Sequence, residues 1–536
     1  MGVLYKELLT SQELYSSRAE NCQSSWLGLY SQDQFALKLR KDIKIELDKE
    51  GISPKKINAS STSIHETTHW WQHIGSNFGF IYSMSYLSIV SLAAPQLKLL
   101  VSNDIKCKSV LGYVEECYKK DLYRCKELNL IVNTYYDIKY ALEFSYNNLN
   151  FRAIADDRRY FLNIGHSYRI LWDSVIHSLN AILGNSEVLP APNNWNGFEK
   201  LKEKKCLGFY NDSPMVISPL GIAAIFEGQA RFTQLQYLAA ALKISYYDAV
   251  VNGQLDGIYG EAFGLYLKIT KIEIDSEADL LGSEFGLFLL VCDIAINPNN
   301  GFPLNIYDYE SFVSHNDPGI RFTIICHIIS QNPTYYLEKI KSYSMEEYTL
   351  LSNELSDKSG FVPVMKCLET VCSWAEHSSL KTLMNEERTL SYAPAGLPIR
   401  VLFSKYIKFQ MDKYKFPNVF CWFGYHAGNG NSPSFDPAND IYSTHKAMFV
   451  GGDNNQVEAA LFKGIPREAI LKRYNEFYAD LMMYKLIYEW ITEDGEFSYN
   501  YSWLRHENPK AVEPFLKENF KSTFGVYPEE LNFRKN

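Results

Sequence analysis

Within the 536 residues, one stretch restricts the fold more than any other: Ser63-Ile64-His65-Glu66-Thr67-Thr68-His69-Trp70-Trp71-Gln72-His73-Ile74-Gly75. It contains H-E-x-x-H, His65 to His69, a pattern that on a helix provides half of a zinc site. Four residues of α-helix turn through about 400°, so both imidazoles lie on one face, one turn apart. Two neutral imidazoles so placed can share one zinc ion and leave room for a third protein ligand and a water. Glu66 then sits beside the metal, suited to taking a proton from that water rather than to binding the ion. The segment also has a purely structural reading. Ser63 at the N-cap with Glu66 three residues later makes a capping box, and the histidines would still fall in the first turns of the helix. Gly75 ends the helix.

The remainder of the chain sets the fold class. Phe35, Leu37 and Leu39, continued by Ile43, Ile45 and Leu47, alternate with polar residues and predict one bent strand or two short ones, ended by Gly51-Ile52-Ser53-Pro54. Other alternating patterns are scarce. Helical spacing dominates residues 79–185, the segment from Pro219 towards Leu242, residues 304–412 and Arg467–Thr492, with a buried segment at Phe285–Ile296. Breaks fall at Pro190–Trp195, Asn297–Pro303 and Ala393–Pro398. His426–Asn455 is a long loop by its Gly, Asn, Ser and Asp content. The class is mainly α, with α+β as the alternative and at most a small sheet. Three parts are expected: an N-terminal segment 1–57, a catalytic-type domain 58–300 with a large helical insertion, and a helical C-terminal domain 301–536.

Composition excludes several classes. A net charge of -9 argues against a broad electrostatic grip on nucleic acid, so none is expected as partner. No apolar run reaches the ~20 residues a bilayer requires; Leu87–Val101 is broken by Pro95, Gln96 and Lys98, and no membrane partner is expected. Ten cysteines without a C-x-x-C pair, and no secretory signal at Met1–Lys6, read as a reduced cytoplasmic protein. The 38 Tyr and 31 Phe are spread along the chain and read as compositional bias rather than as a binding surface.

A third metal ligand must come from outside the motif. A metzincin would carry Gly at position 72 and His at position 75; here these are Gln72 and Gly75. Glu66-x-x-His69 is also half of a di-iron carboxylate site, but no second E-x-x-H exists. No G-x-S-x-G, P-loop or G-x-G-x-x-G motif is present. The pattern resembles instead the gluzincins, zinc metallopeptidases whose third ligand is a Glu on a downstream helix. Glu227-Gly228-Gln229-Ala230 resembles the E-G-x-A of aminopeptidase-like members, and small residues beside the ligand would let its helix approach the histidine helix. Asn475-Glu476 with Ala479 and Asp480 resembles the ligand helices of other members, in which the Asp orients a ligating His. Glu227, nearer the histidines in the chain, is the preferred ligand and Glu476 the alternative.

That resemblance implies a zincin-like, multi-helix catalytic domain, a Zn2+ cofactor and metal-activated hydrolysis of a peptide or protein substrate. His65, His69 and Glu227 would be ligands and Glu66 the base, with His73, Arg231 and Asp480 as supporting or substrate-contacting groups. Each has a plainer reading. His73 reads as a core histidine, Trp70 and Trp71 as helix packing, Glu227 as an i,i+4 partner of Arg231, and Glu476 as one charge on an exposed face. The competing function class is a non-catalytic binding or scaffold protein with a structural or vestigial metal site.

Overall fold

The computed structural model describes residues 27–120, 126–147, 151–184, 187–429, 437–452, 456–462, 464–504 and 509–533. The first 26 residues of the 1–57 segment, with Cys22, and Cys125 lie outside them. Among the described residues the protein is mainly helical with a small sheet, and strands make up about 4% of it. The four-stranded sheet has the order β1-β2-β3-β4: Gly28–Ser31 (β1), Ala36–Leu39 (β2), Phe449–Gly451 (β3) and Val457–Ala459 (β4). β1 pairs antiparallel with β2, β2 parallel with β3, and β3 antiparallel with β4. A second pair joins Cys107–Lys108 to Asn532–Phe533. No disulfide joins the described cysteines.

The strand expected through Leu47 stops at Leu39; Lys41–Asp48 is a helix, α1. Ile43 and Leu47 are spaced four apart and half-buried against the next helix, whereas Ile45 points outward at 51% exposure. A spacing of two thus concealed a spacing of four, which an eight-residue run cannot distinguish.

The metal-motif helix α2 spans Pro54–Gly75 and starts about three turns before the motif. Ser53 is its N-cap, accepting from the Lys56 amide, and Pro54 occupies the first turn. The capping-box reading of Ser63 and Glu66 is therefore overturned. Ser63 instead bonds the Tyr442 hydroxyl at 2.6 Å, and both histidines sit deep in an established helix. From Ile64 to Gly75 every residue of α2 is buried.

Helices close around α2 on all sides. Asn77–Ser102 (α3) follows after Ser76, which caps it by accepting from the Gly79 amide. By length and composition α3 could cross a bilayer, the one described helix that could, because its apolar residues outweigh the interruption at Pro95. It packs against α2 and, among others, Lys126–Tyr146 (α4), Ile164–Leu183 (α5) and Arg467–Thr492 (α13). Ile222–Leu242 (α6) makes the most extensive packing with α2 and is flanked by Ile258–Thr270 (α7) and Ser283–Ala295 (α8). Pro318–Ser330 (α9) lies against α7 and α8. Further along come Ser378–Thr389 (α10), Leu397–Lys415 (α11), Pro437–Thr444 (α12) and Arg467–Thr492 (α13).

The loop expected over His426–Asn455 contains α12 and β3. Ala438 and Ile441 are buried, and the following His445 carbonyl accepts from Trp71 Nε1 at 2.9 Å. Composition marked the turns there but not the one helical turn-pair that Pro437 starts. The Asn297–Pro303 loop is buried. Asn77 Nδ2 donates to the Pro298 carbonyl at 2.7 Å, and Asn300 Nδ2 to the Asp308 carbonyl at 2.6 Å. Apolar side chains from both sides of residue 300 belong to one contiguous cluster.

Gly75 fixes the approach of α11 to α2. A Cβ at this position would run into the Phe409 ring, and Gln410 Nε2 donates to the Gly75 carbonyl at 2.6 Å. Gly75→Ala is expected to destabilise the fold by about 1–3 kcal/mol through overpacking, read as a lowered urea midpoint with an unchanged denaturant slope.

Candidate metal centre

α2 supplies His65 and His69 and α6 supplies Glu227, and the packing of these two helices brings the three side chains together. The His65 and His69 Nε2 atoms are 3.2 Å apart. Glu227 Oε2 lies 3.5 Å from His65 Nε2 and 3.3 Å from His69 Nε2. A tetrahedral ion at ~2.0–2.1 Å from each donor requires separations of ~3.3–3.4 Å, and an octahedral one at ~2.1–2.2 Å requires ~3.0–3.1 Å. The observed triangle fits the tetrahedral case. Glu227 Oε2 and His65 Nδ1 are buried without a hydrogen bond, so the carboxylate oxygen aimed at the imidazoles has no protein donor of its own. Residues and geometry together suit a divalent cation with nitrogen and oxygen ligands.

His69 is held in a defined tautomer. Its Nδ1 donates to Gln72 Oε1 at 2.8 Å, leaving the Nε2 lone pair for a ligand. Gln72 is fixed in turn by α6: its Nε2 donates to the Phe226 carbonyl at 2.8 Å and to Gln229 Oε1 at 2.9 Å. The helix that carries Glu227 thus also orients His69.

Gly228 acts differently from the expectation. Its open side faces the Ala262 methyl of α7 and the Phe288 ring of α8, not α2. It lets α7 approach the ligand helix and brings Tyr259 to the site. The Tyr259 ring lies edge-on to His65, centroids 6.0 Å apart, and the Arg231 guanidinium lies 4.1 Å over that ring. Arg231 Nη1 donates to Gln234 Oε1 at 2.6 Å, and its Nε is buried without a hydrogen bond. Glu227 faces the histidines rather than Arg231, so the i,i+4 surface pair is replaced by a shared site.

Glu66 is 6% exposed, with β1 against it: the Cα of Gly28 packs on its side chain, and the Tyr30 amide donates to its carboxylate. Burial pushes the Glu66 carboxyl up to about 7, opposed by the charge on His69. Burial lowers His65 to about 4. Against the cost of burial, Glu227 and Glu66 raise His69 to about 9. Glu227 is held well below the usual carboxylate range by the two imidazoles despite its own desolvation. A proton on His69 offsets the charge of Glu227, and a cation bound between them would compete with that proton.

The other candidates lie elsewhere. Glu476 is on α13, pairing with Lys472 one turn away at 3.7 Å on a face where its side chain is 42% exposed, and it is not part of the histidine group. Asp480, on the same helix, is raised to about 6 by burial and Glu476. His73 is a core residue, enclosed by the rings of Tyr30, Tyr82 and Phe226, and burial lowers it to about 3. Trp70 and Trp71 are buried and pack α2 into the core. Gly28, Tyr30, Gln72, Gln229 and Tyr259 escaped sequence reasoning. Only Gln72, three residues after His69 on the motif's own face, carried a local signal.

No protein-family model, no curated protein and no solved structure matches this chain. The gluzincin resemblance therefore rests on the motif residues alone, and the geometry adds only a candidate metal-binding group. Gln72→Leu keeps all three ligands and removes the His69 tether. It is expected to weaken zinc binding about 10–100-fold, measured by competition with a chromogenic chelator.

Proposed function

We propose that the protein is a zinc-dependent hydrolase that cleaves a peptide or protein substrate. The observation that carries this reading is the triangle of 3.2, 3.3 and 3.5 Å formed by His65 Nε2, His69 Nε2 and Glu227 Oε2. Bound there, zinc would supply Lewis acidity, acidifying a water and polarising a carbonyl. The peptide class comes from the gluzincin resemblance; hydrolysis comes from the residues.

The chain's own groups cover the remaining chemistry. Glu66, whose carboxyl burial pushes up, accepts the proton of the attacking water as the water oxygen bonds to the scissile carbonyl carbon. The same carboxyl then returns the proton to the departing amine nitrogen. Arg231 and Tyr259, packed beside His65, supply positive charge and a donor for the oxyanion that develops on the carbonyl oxygen. Burial of the histidine face restricts bulk water, which strengthens each of these interactions.

Zinc stoichiometry by mass spectrometry, with turnover of a mixed peptide library, tests the reading. Wild-type protein should carry one zinc and cleave. Glu66→Gln should keep the zinc and lose turnover about 10²–10⁴-fold. His65→Ala should lose both. Zinc that merely staples α2 to α6 would leave Glu66→Gln and wild type alike, and zinc-free wild type would sink the proposal. Tyr259→Phe should lower kcat by about 10²-fold with little change in KM if its hydroxyl meets the oxyanion.

A further inference from the structure

The second half of the chain builds a cleft that the proposed hydrolysis does not use. It has a volume of about 610 Å³ and lies between the end of α10, α11, α12, the β3–β4 hairpin and the start of α13. Apolar side chains line part of it, among them Leu390, Met448, Phe462 and Ile470. Five cationic side chains line the rest, Arg388, Lys405, Lys408, Lys446 and Arg473, against only two acids, Glu387 and Asp440. A net positive cleft is notable in a chain of net charge -9.

The cations are incompletely neutralised. Glu387 Oε1 is shared by two ammonium groups, Lys405 Nζ at 2.8 Å and Lys408 Nζ at 3.6 Å. Lys446 Nζ donates to the Leu461 carbonyl at 2.6 Å, and Arg388 Nη2 to the Asn385 side-chain oxygen at 2.8 Å, both neutral partners. The ammonium groups of Lys405 and Lys446 converge on one ring, 5.4 and 5.0 Å from the centre of Phe462.

Arg473 is the strongest indication of a ligand. It is 2% exposed and lines the cleft. Its guanidinium lies 4.0 Å over the Tyr392 ring, and Nη2 donates to the Leu390 carbonyl. Nε and Nη1 are buried without a well-aligned hydrogen bond; Tyr392 faces the guanidinium, and Glu387 and Glu476 attract it from beyond ion-pair distance. Among the described ion pairs none joins Arg473 to a carboxylate. A buried guanidinium with two N–H groups left without good hydrogen bonds is costly, and an anion in the cleft would offset that cost.

We propose that this cleft binds a small phosphomonoester with an apolar or aromatic organic part. A phosphate dianion matches the planar fork of a guanidinium and neutralises more than one ammonium group at once. The apolar wall takes the organic part, and the volume falls within the ~300–1,000 Å³ typical of small-molecule sites. The shared chemistry has two sources, a nucleotide or a lipid-like alkyl phosphate.

Calorimetric titration of the full chain with inorganic phosphate, AMP and octyl phosphate tests this, using wild type, Lys446→Gln, Arg473→Gln and His65→Ala. AMP or octyl phosphate should bind wild type about tenfold or more tightly than inorganic phosphate, and the tighter of the two identifies the source. Lys446→Gln and Arg473→Gln should each weaken that binding about tenfold, and His65→Ala should leave it unchanged. If Arg473→Gln does not fold, the half-exposed Lys446 still decides the matter. The proposal is overturned if neither organic phosphate binds, if binding survives Lys446→Gln, or if it disappears in His65→Ala, which would place it at the metal centre.

Discussion

The structure depends on the contact between α2 and α6. Two buried helices meet along a face that carries imidazoles on one side and a carboxylate on the other, tied by Gln72 to Gln229 and to the Phe226 carbonyl. Polar groups buried at this density are tolerated only when each finds a partner. Gln72 satisfies His69, but Glu227 Oε2 and His65 Nδ1 have no hydrogen bond. Glu227 Oε2 is thus left facing the two imidazole Nε2 atoms without a donor, an arrangement that suits a cation.

The same contact organises the surroundings. β1 covers Glu66, and any side chain larger than that of Gly28 would displace its carboxylate. Gly228 admits α7 and with it Tyr259. α11 is drawn onto α2 at Gly75, and the segment after α12 reaches Trp71 through the His445 carbonyl. Elements from nearly the full length of the chain therefore press on one helix. Desolvation follows, and the opposite displacements of Glu66 and His65 are both consequences of burial.

Much of this was legible before folding. The helical class followed from spacing, Arg467–Thr492 matched its element end for end, and the three site residues preferred by pattern are those that converge. Elsewhere local pattern misled. Ile43, Ile45 and Leu47 fit either period in so short a run, and Ser63-x-x-Glu66 imitates a cap because capping is a local motif while helix starts are decided by Ser53 and Pro54 upstream. Glu476 fits a ligand motif as well as Glu227 does, but motif resemblance carries no distance.

Sequence alone determined that two imidazoles share a helical face one turn apart, because the 3.6-residue turn brings positions four apart together once the segment is helical. It also determined which glutamates had apolar company and were candidates for burial. Only the tertiary structure decided which glutamate faces the histidines, that Gly28 packs on Glu66, and that Arg473 is buried with two N–H groups lacking a hydrogen bond. Those facts depend on contacts between segments far apart in the chain. Such contacts are set by how the helices pack, and no local spacing encodes them.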